Sequence, residues 1–316
     1  MPLRTFALLV LIAAATALRA QPYRTLTDRN GERMRGTPIA LAKQDFAAGP
    51  VALAKDPASW VAIRERGLNT VRLCWVDPWF NMDGRSAPGW TMNELTDVLD
   101  RCVANATAAG LNVIINYHNV GEYTKTGGFG RMDEFWRTVA PRYRDNDLVF
   151  YELNNEQAFD GAAYRERKFR RATKRTYRRV RRAAPERQII LFSFNSLQHD
   201  MKAIVDSYRF IDWEYTSVGW HFYGQGKGGD AAQEQKNLLA LLAAYRSICT
   251  EWDYPGLHEE YDYIKPFFDR PIMAENLERL GISWVDWRGW SDATLNEFDD
   301  LLIPDARRKG YAWWAD

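Results

Sequence analysis

Cysteine, histidine and net charge are all scarce in this 316-residue chain, and each scarcity removes a class of function. Three cysteines (Cys74, Cys102 and Cys249) are an odd number, and no CxxC or Cys/His cluster is present. That excludes a disulfide framework and a structural zinc site. Four histidines without an HxH or HExxH pattern argue against a metallohydrolase, so neither a metal nor a cofactor is expected. Lys+Arg 42 against Asp+Glu 41 leaves a net charge of +1, which excludes bulk-charge attraction to nucleic acid or acidic membranes. No apolar run approaches the roughly 20 residues of a membrane span. No glycine-rich phosphate turn follows the first strand candidate, against an open dinucleotide-binding sheet. The run Gly224-Gln225-Gly226-Lys227-Gly228-Gly229 lacks the Ser/Thr and the glycine spacing of a phosphate loop.

Aromatic residues, in contrast, are abundant: 13 Trp, 15 Tyr and 15 Phe. Flat apolar side chains in such number suit a surface that stacks on flat apolar faces, although a large core absorbs many of them. Residues 1–20 carry Arg4, then an apolar run over 6–15, then Thr16-Ala17-Leu18-Arg19-Ala20 with small residues at 17 and 20. This is the pattern of a secretory signal, with cleavage after Ala17 or Ala20; an uncleaved anchor is the other reading. The expected location is therefore extracellular or periplasmic. Residues 21–316, about 296 in all, fit one domain large enough to bury a core without staples. Cys74 falls in a strand-like apolar run and Cys102 on an apolar helix stripe, so buried free thiols are expected.

Short apolar runs alternate with longer amphipathic stretches. Strands are expected over 34–41, 70–75, 112–117, 149–154, 189–194, 217–222, 271–276 and 310–314. Helices are expected over 57–67, 92–110, 131–143, 161–184, 200–208, 231–250 and 292–309. Eight strand–helix units, with strands reading as continuous apolar runs, predict a single-domain α/β fold: a parallel TIM (β/α)8 barrel. With the last strand at 310–314, the last outer helix would be missing.

Active sites of such barrels sit at the C-terminal ends of the strands. Polar residues end these apolar runs repeatedly: Arg72 in Val71-Arg72-Leu73, His118 after Asn116-Tyr117, Asn155-Glu156, His221-Phe222-Tyr223, Glu275 in Ala274-Glu275-Asn276, and Trp314 in Trp313-Trp314. In this order and spacing the chain resembles the retaining glycoside hydrolases with (β/α)8 barrels, and within them glycoside hydrolase family 5, the cellulase-like family. The likeness runs from about Arg35 to Trp314. Gln157 departs from the proline or small apolar residue that often follows the family's Asn-Glu.

The resemblance implies double displacement on a β-linked polysaccharide, most readily an endo-acting attack on β-1,4-glucan. It implies Glu156 as acid/base and Glu275 as nucleophile, about 5–5.5 Å apart as retention requires. Arg72 would hold and orient Glu275, Tyr223 would donate to it, and Asn155 would bind the sugar 2-hydroxyl. His118 and His221 would line the subsite before the cleaved bond, and Trp314 would stack on a sugar ring; Trp75, Trp79, Trp90, Trp220 and Trp313 are further stacking candidates. The segment 282–290, with Trp284, Trp287 and Trp290, would form a cleft wall. The partner is then a poly- or oligosaccharide, with no nucleic acid, no membrane span and a monomeric chain. A β-mannanase, an exo-β-glucosidase and a non-catalytic carbohydrate-binding barrel are the other readings. Finally, residues 164–187 are about half Lys and Arg, but Phe169, Ala172, Thr176, Val180 and Ala183 recur at helical spacing. That predicts an outer helix with a basic solvated face, binding of an anionic polysaccharide or envelope being the alternative.

Overall fold

A computed structural model describes residues 23–41, 56–76, 91–118, 129–222, 230–252 and 273–287. Eight parallel strands close into a barrel in chain order: β1 (Arg35–Leu41), β2 (Thr70–Val76), β3 (Asn112–His118), β4 (Val149–Glu152), β5 (Ile189–Phe194), β6 (Thr216–Phe222), β7 (Ser247–Trp252) and β8 (Ser283–Val285). Among the described residues seven α-helices alternate with them: α1 (Pro57–Glu65), α2 (Met92–Ala108), α3 (Phe129–Arg142), α4 (Arg167–Ala183), α5 (Met201–Asp206), α6 (Ala231–Ala244) and α7 (Met273–Leu280). The (β/α)8 expectation holds.

Local chemistry starts these helices where the sequence allows it. Asp56 and Asp230 accept backbone N–H groups at the starts of α1 and α6, and Thr91 with Glu94 forms a reciprocal capping box on α2. The strands are buried on both faces. Outward side chains such as Leu73, Ile115, Tyr151, Leu191 and Val218 join the helices in one large core. Inward, Ile114, Phe150, Ile190, Ile248 and Val285 form an apolar layer together with Leu26 and Met34, from the segment that precedes β1. Asn116 and Glu152 point inward two residues beyond Ile114 and Phe150 on the same strands. All three cysteines are buried and free; burial pushes the thiols of Cys74 and Cys102 up to about 12, and that of Cys249 well above its ordinary value.

The seventh and eighth strands differ from the sequence-based expectation. Residues 273–276 of the expected strand 271–276 belong instead to helix α7, because Met, Ala, Glu and Leu are strong helix formers and Leu277 is buried. Gly281, at φ +70°, ends that helix with a conformation that glycine adopts freely. Strand seven is 247–252 instead. The expected helix 231–250 stops at Ala244, and Tyr245 already has an extended backbone. Strand eight is 283–285, inside the stretch expected to be a cleft wall. The sequence continues from there to Asp316, so the ground for expecting a missing outer helix falls away. The leader 1–20 and the elements expected over 292–309 and 310–314 lie outside the described residues.

Glu278 of α7 ties this last unit to the first strand. It takes Arg35 Nε at 2.6 Å and Nη2 at 3.0 Å, Arg33 at 3.1 Å and the Trp284 indole N–H at 3.0 Å. The seam β8–β1–β2 is tight at Gly36, where an added Cβ would meet Thr70 O at 2.9 Å and Val285 Cγ2 at 3.1 Å. Gly36→Ala is expected to destabilise the barrel by about 1–3 kcal/mol through this overpacking, read as a lower urea midpoint at unchanged slope.

Candidate active site

Strand β2 places Arg72 inside the barrel, fully buried, level with Ile114 of β3 in the register. Strand β4 places Glu152 two residues after inward Phe150, so alternation aims it inward as well. The Arg72 guanidinium joins three acceptors. Nε and Nη2 grip Glu152 at 2.6 and 2.9 Å, Nη1 donates to Glu251 Oε1 at 2.6 Å, and Nη2 also donates to Asn155 Oδ1 at 2.7 Å. A planar, permanently charged donor fork suits two carboxylates at once in a way that an ammonium does not.

Two bulges aim the remaining groups. Between β5 and β6 the register slips after Leu191, and Phe192 and Ser193 adopt positive φ of +78° and +36°. Such backbone is costly for residues other than glycine and persists only where the surroundings enforce it. Here it turns the Ser193 hydroxyl to donate to Glu152 Oε1. Gly219 makes the space: a Cβ there would meet Ser193 Oγ at 2.8 Å. Between β6 and β7 the register runs Trp220↔Cys249 and then His221↔Glu251, leaving Thr250 as the extra residue. Thr250 and Glu251 thus both reach His221. Its Nε2 lies 3.0 Å from Thr250 Oγ1, and its Nδ1 lies 2.7 Å from Glu156 Oε1 and 3.3 Å from Glu251 Oε2.

Carboxylate oxygens of Glu156 and Glu251 lie within 4.8 Å of each other, with His221 between them. Glu251 and His221 are buried, whereas Glu156 is part-exposed. These three donors are close enough to ligate a cation, but they already satisfy one another and Arg72 occupies Oε1 of Glu251. The rim is completed by His118, whose ring stacks on Trp287 at 5.0 Å and 9°, and by Arg72 lying 5.9 Å from the same indole. His118 Nδ1 lies 2.9 Å from Asn116 Oδ1. Asn155 Nδ2 is buried with no hydrogen-bond partner among the described residues.

The two histidines are pushed in opposite directions. Burial, Arg72 and His221 hold His118 well below its ordinary value. Burial also lowers His221, but the carboxylates of Glu251 and Glu156 outweigh it and raise the imidazole overall.

Of the residues singled out in the sequence, the structure brings Arg72, His118, Asn155, Glu156 and His221 together. Glu275 does not lie on strand seven; it belongs to α7, between β7 and β8, and Glu251 holds the strand-seven position. Trp75 and Trp220 pack in the outer core. Tyr223, Trp79, Trp90, Trp290, Trp313 and Trp314 lie outside the described residues. Glu251, Glu152 and Ser193 were missed, whereas Trp287 had been placed in the expected cleft wall. The available signals were β-branched Ile248 and Thr250 before Glu251, and the Phe150/Glu152 alternation.

The cellulase family, glycosyl hydrolase family 5, matches residues 33–293. The chain belongs to this family. A probable endo-β-1,4-glucanase B of Aspergillus kawachii is 28% identical over 106 residues, covering 32% of this chain and 30% of that protein. Endoglucanase A of Butyrivibrio fibrisolvens is 25% identical over 182 residues, covering 55% of this chain and 37% of its own. The match thus spans about a third of these relatives' lengths. Among solved structures, the catalytic domain of a Thermobifida fusca endoglucanase has a TM-score of 0.63 at 18% identity, covering 85% of this chain and 83% of that one. A β-mannanase from Streptomyces thermolilacinus reaches 0.58 at 19%, covering 86% and 85%. These two share the fold.

The opposed histidine shifts give a direct test. In an imidazole NMR titration, His221 is expected to protonate at higher pH than His118, which stays neutral through the physiological range. Because its folded value is raised, the stabilisation from the His221 imidazolium is complete below the unfolded value near 6.5 and is lost as pH rises through the folded one. The stability advantage of wild type over His221→Gln should shrink with rising pH across that window.

Proposed function

We propose that this family 5 chain is a secreted, retaining endo-glycosidase acting on a β-1,4-glucan, with Glu251 as nucleophile and Glu156 as acid/base. One observation carries this reading: two glutamate carboxylates from β7 and the end of β4 approach within 4.8 Å across one cleft. That separation fits direct attack on the anomeric carbon; the inverting geometry needs roughly 6.5–9.5 Å to seat a water between the carboxyl groups. Glu251 replaces Glu275 in this assignment because α7 does not reach the strand-seven position.

Arg72 fixes Oε1 of Glu251 and leaves Oε2 as the attacking atom. As Oε2 bonds to the anomeric carbon, Glu156 passes a proton to the leaving oxygen, and a glycosyl ester forms on Glu251. Neutralising Glu251 removes a negative charge beside Glu156, which then takes a proton from water as that water displaces the ester. His221, hydrogen-bonded to Glu156 and raised by both carboxylates, keeps a proton beside the acid/base. Asn155, with Nδ2 unpartnered, would donate to the sugar 2-hydroxyl, a contact that strengthens as positive charge grows on the ring. Trp287, half-buried and stacked on His118, offers a flat face for a sugar ring, beside the stacking role expected of Trp314. The apolar leader pattern and the endoglucanase names of the relatives support export and a glucan substrate.

Glu251→Gln and Glu156→Gln are each expected to cut hydrolysis of a neutral β-glucan by at least about 10³-fold, while Glu275→Gln stays within about twofold. With azide, Glu251→Gly should release a glycosyl azide of inverted configuration. Unchanged rates in Glu251→Gln, or a full loss in Glu275→Gln, would overturn the assignment. Product analysis on β-glucan, mannan and xylan separates glucanase from mannanase.

A further inference from the structure

The outer helix α4 carries ten Arg and Lys residues and no acid over Arg167–Ala183. Part of this charge is used internally: Arg179 and Arg175 approach Asp133 at 2.5 and 3.7 Å, and Arg181 caps the carbonyls of Pro185, Arg187 and Tyr215. The rest is not. Arg170, Lys174 and Arg178 line one side of a groove of about 630 Å³, with Ser207, Arg209 and Phe210 on the other. None of its lining residues is acidic, and among the described residues none of the four cations forms a salt bridge.

Two of these cations are nonetheless held in place. Arg170 donates to the Ser207 carbonyl and lies 5.3 Å from the Tyr208 ring, while Lys174 lies 5.6 Å over Phe210. Aromatic faces and a carbonyl orient a cation without neutralising it. A row of fixed, uncompensated positive charge costs self-repulsion that a bound polyanion relieves. Arg167, Lys168, Arg171 and Arg182 extend the exposed charge along the helix, over about 22 Å at 1.5 Å per residue, which exceeds the reach of one small anion.

From these observations the geometry points to a second binding site: the α4 groove takes an acidic polysaccharide, whose repeating carboxylates pair with Arg170, Lys174, Arg178 and Arg209. Guanidinium forks match carboxylates bidentately, and arginine dominates here. A lipid surface fits less well. The apolar face of α4 (Phe169, Ala172, Tyr177, Val180) is buried against the barrel, so nothing remains to insert between acyl chains. The choice of a glycan over other polyanions rests on the polysaccharide reading of the cleft. An acidic matrix polymer held on the outer wall would tether the enzyme near neutral glucan mixed with it, raising its local concentration there.

The test uses the full chain and polygalacturonate as probe. Wild type should bind immobilised polygalacturonate at low salt and release it as salt rises. Lys174→Glu/Arg178→Glu/Arg209→Glu, three side chains without an internal ion pair, should bind at least about tenfold more weakly (1.4 kcal/mol). Both proteins should hydrolyse a neutral soluble β-glucan equally and share one melting temperature. If the triple variant fails to fold, Arg178→Gln/Arg209→Gln should show the same loss at smaller size. Absence of wild-type binding, or equal binding by a folded variant, overturns the proposal. So does equal binding of wild type to phosphatidylglycerol vesicles or duplex DNA, which would mark a general polyanion surface. Loss of hydrolysis in both proteins with binding intact would instead overturn the reading of the cleft.

Discussion

One guanidinium organises the interior of this barrel. Arg72 is completely buried, and its charge is tolerable only because Glu152, Glu251 and Asn155 surround it with oxygen acceptors at 2.6–2.9 Å. Removing one member of such a cluster leaves an uncompensated buried charge, typically at a cost of about 3–5 kcal/mol. The cluster links β2, β4 and β7, so charge neutralisation in the core and positioning of Glu251 are the same requirement. Glu152 engages two of the donors, Nε and Nη2, and leaves Nη1 to Glu251.

The two bulges serve this cluster. A regular parallel ladder presents every second side chain inward, which cannot bring Thr250 and Glu251 to one histidine or turn Ser193 onto Glu152. Each slip in register breaks the alternation at one place, and the positive φ at Phe192 and Ser193 stores strain that the packed walls around them must hold. Gly219 is the enabling residue on the neighbouring strand. Strain, a missing Cβ and a buried hydroxyl are thus three parts of one local arrangement on β5 and β6, and it steadies Glu152 beside Arg72.

Much of the barrel was legible because β1 to β6 are continuous apolar runs bounded by amphipathic stretches. The residues at their ends, Arg72, His118, Asn155-Glu156 and His221, followed directly. The last quarter was not, for physical reasons. Leu238, Leu239, Leu241 and Leu242 continue a helical stripe towards Ile248, so the start of β7 is masked by its own neighbour's hydrophobicity. Residues 271–276 combine an apolar start with a glutamate, which imitates a strand end, although their side chains favour a helix. Strand β8 has three residues, too few for any periodicity. Glu152 was visible but was read as part of the motif rather than as an inward charge; only its pairing with Arg72 across the barrel reveals its role.

The buried thiols carry a consequence for the chain's redox chemistry. A thiol near 12, as for Cys74 and Cys102, is ionised about once in ten thousand at pH 8, and thiolate is the form that attacks disulfides. Cys249 is shifted further in the same direction. An odd cysteine count therefore leaves no reactive sulfur to cross-link two molecules or to swap partners with an oxidised bystander. Burial in the strands for Cys74 and Cys249, and under helix α2 for Cys102, shields all three from such exchange.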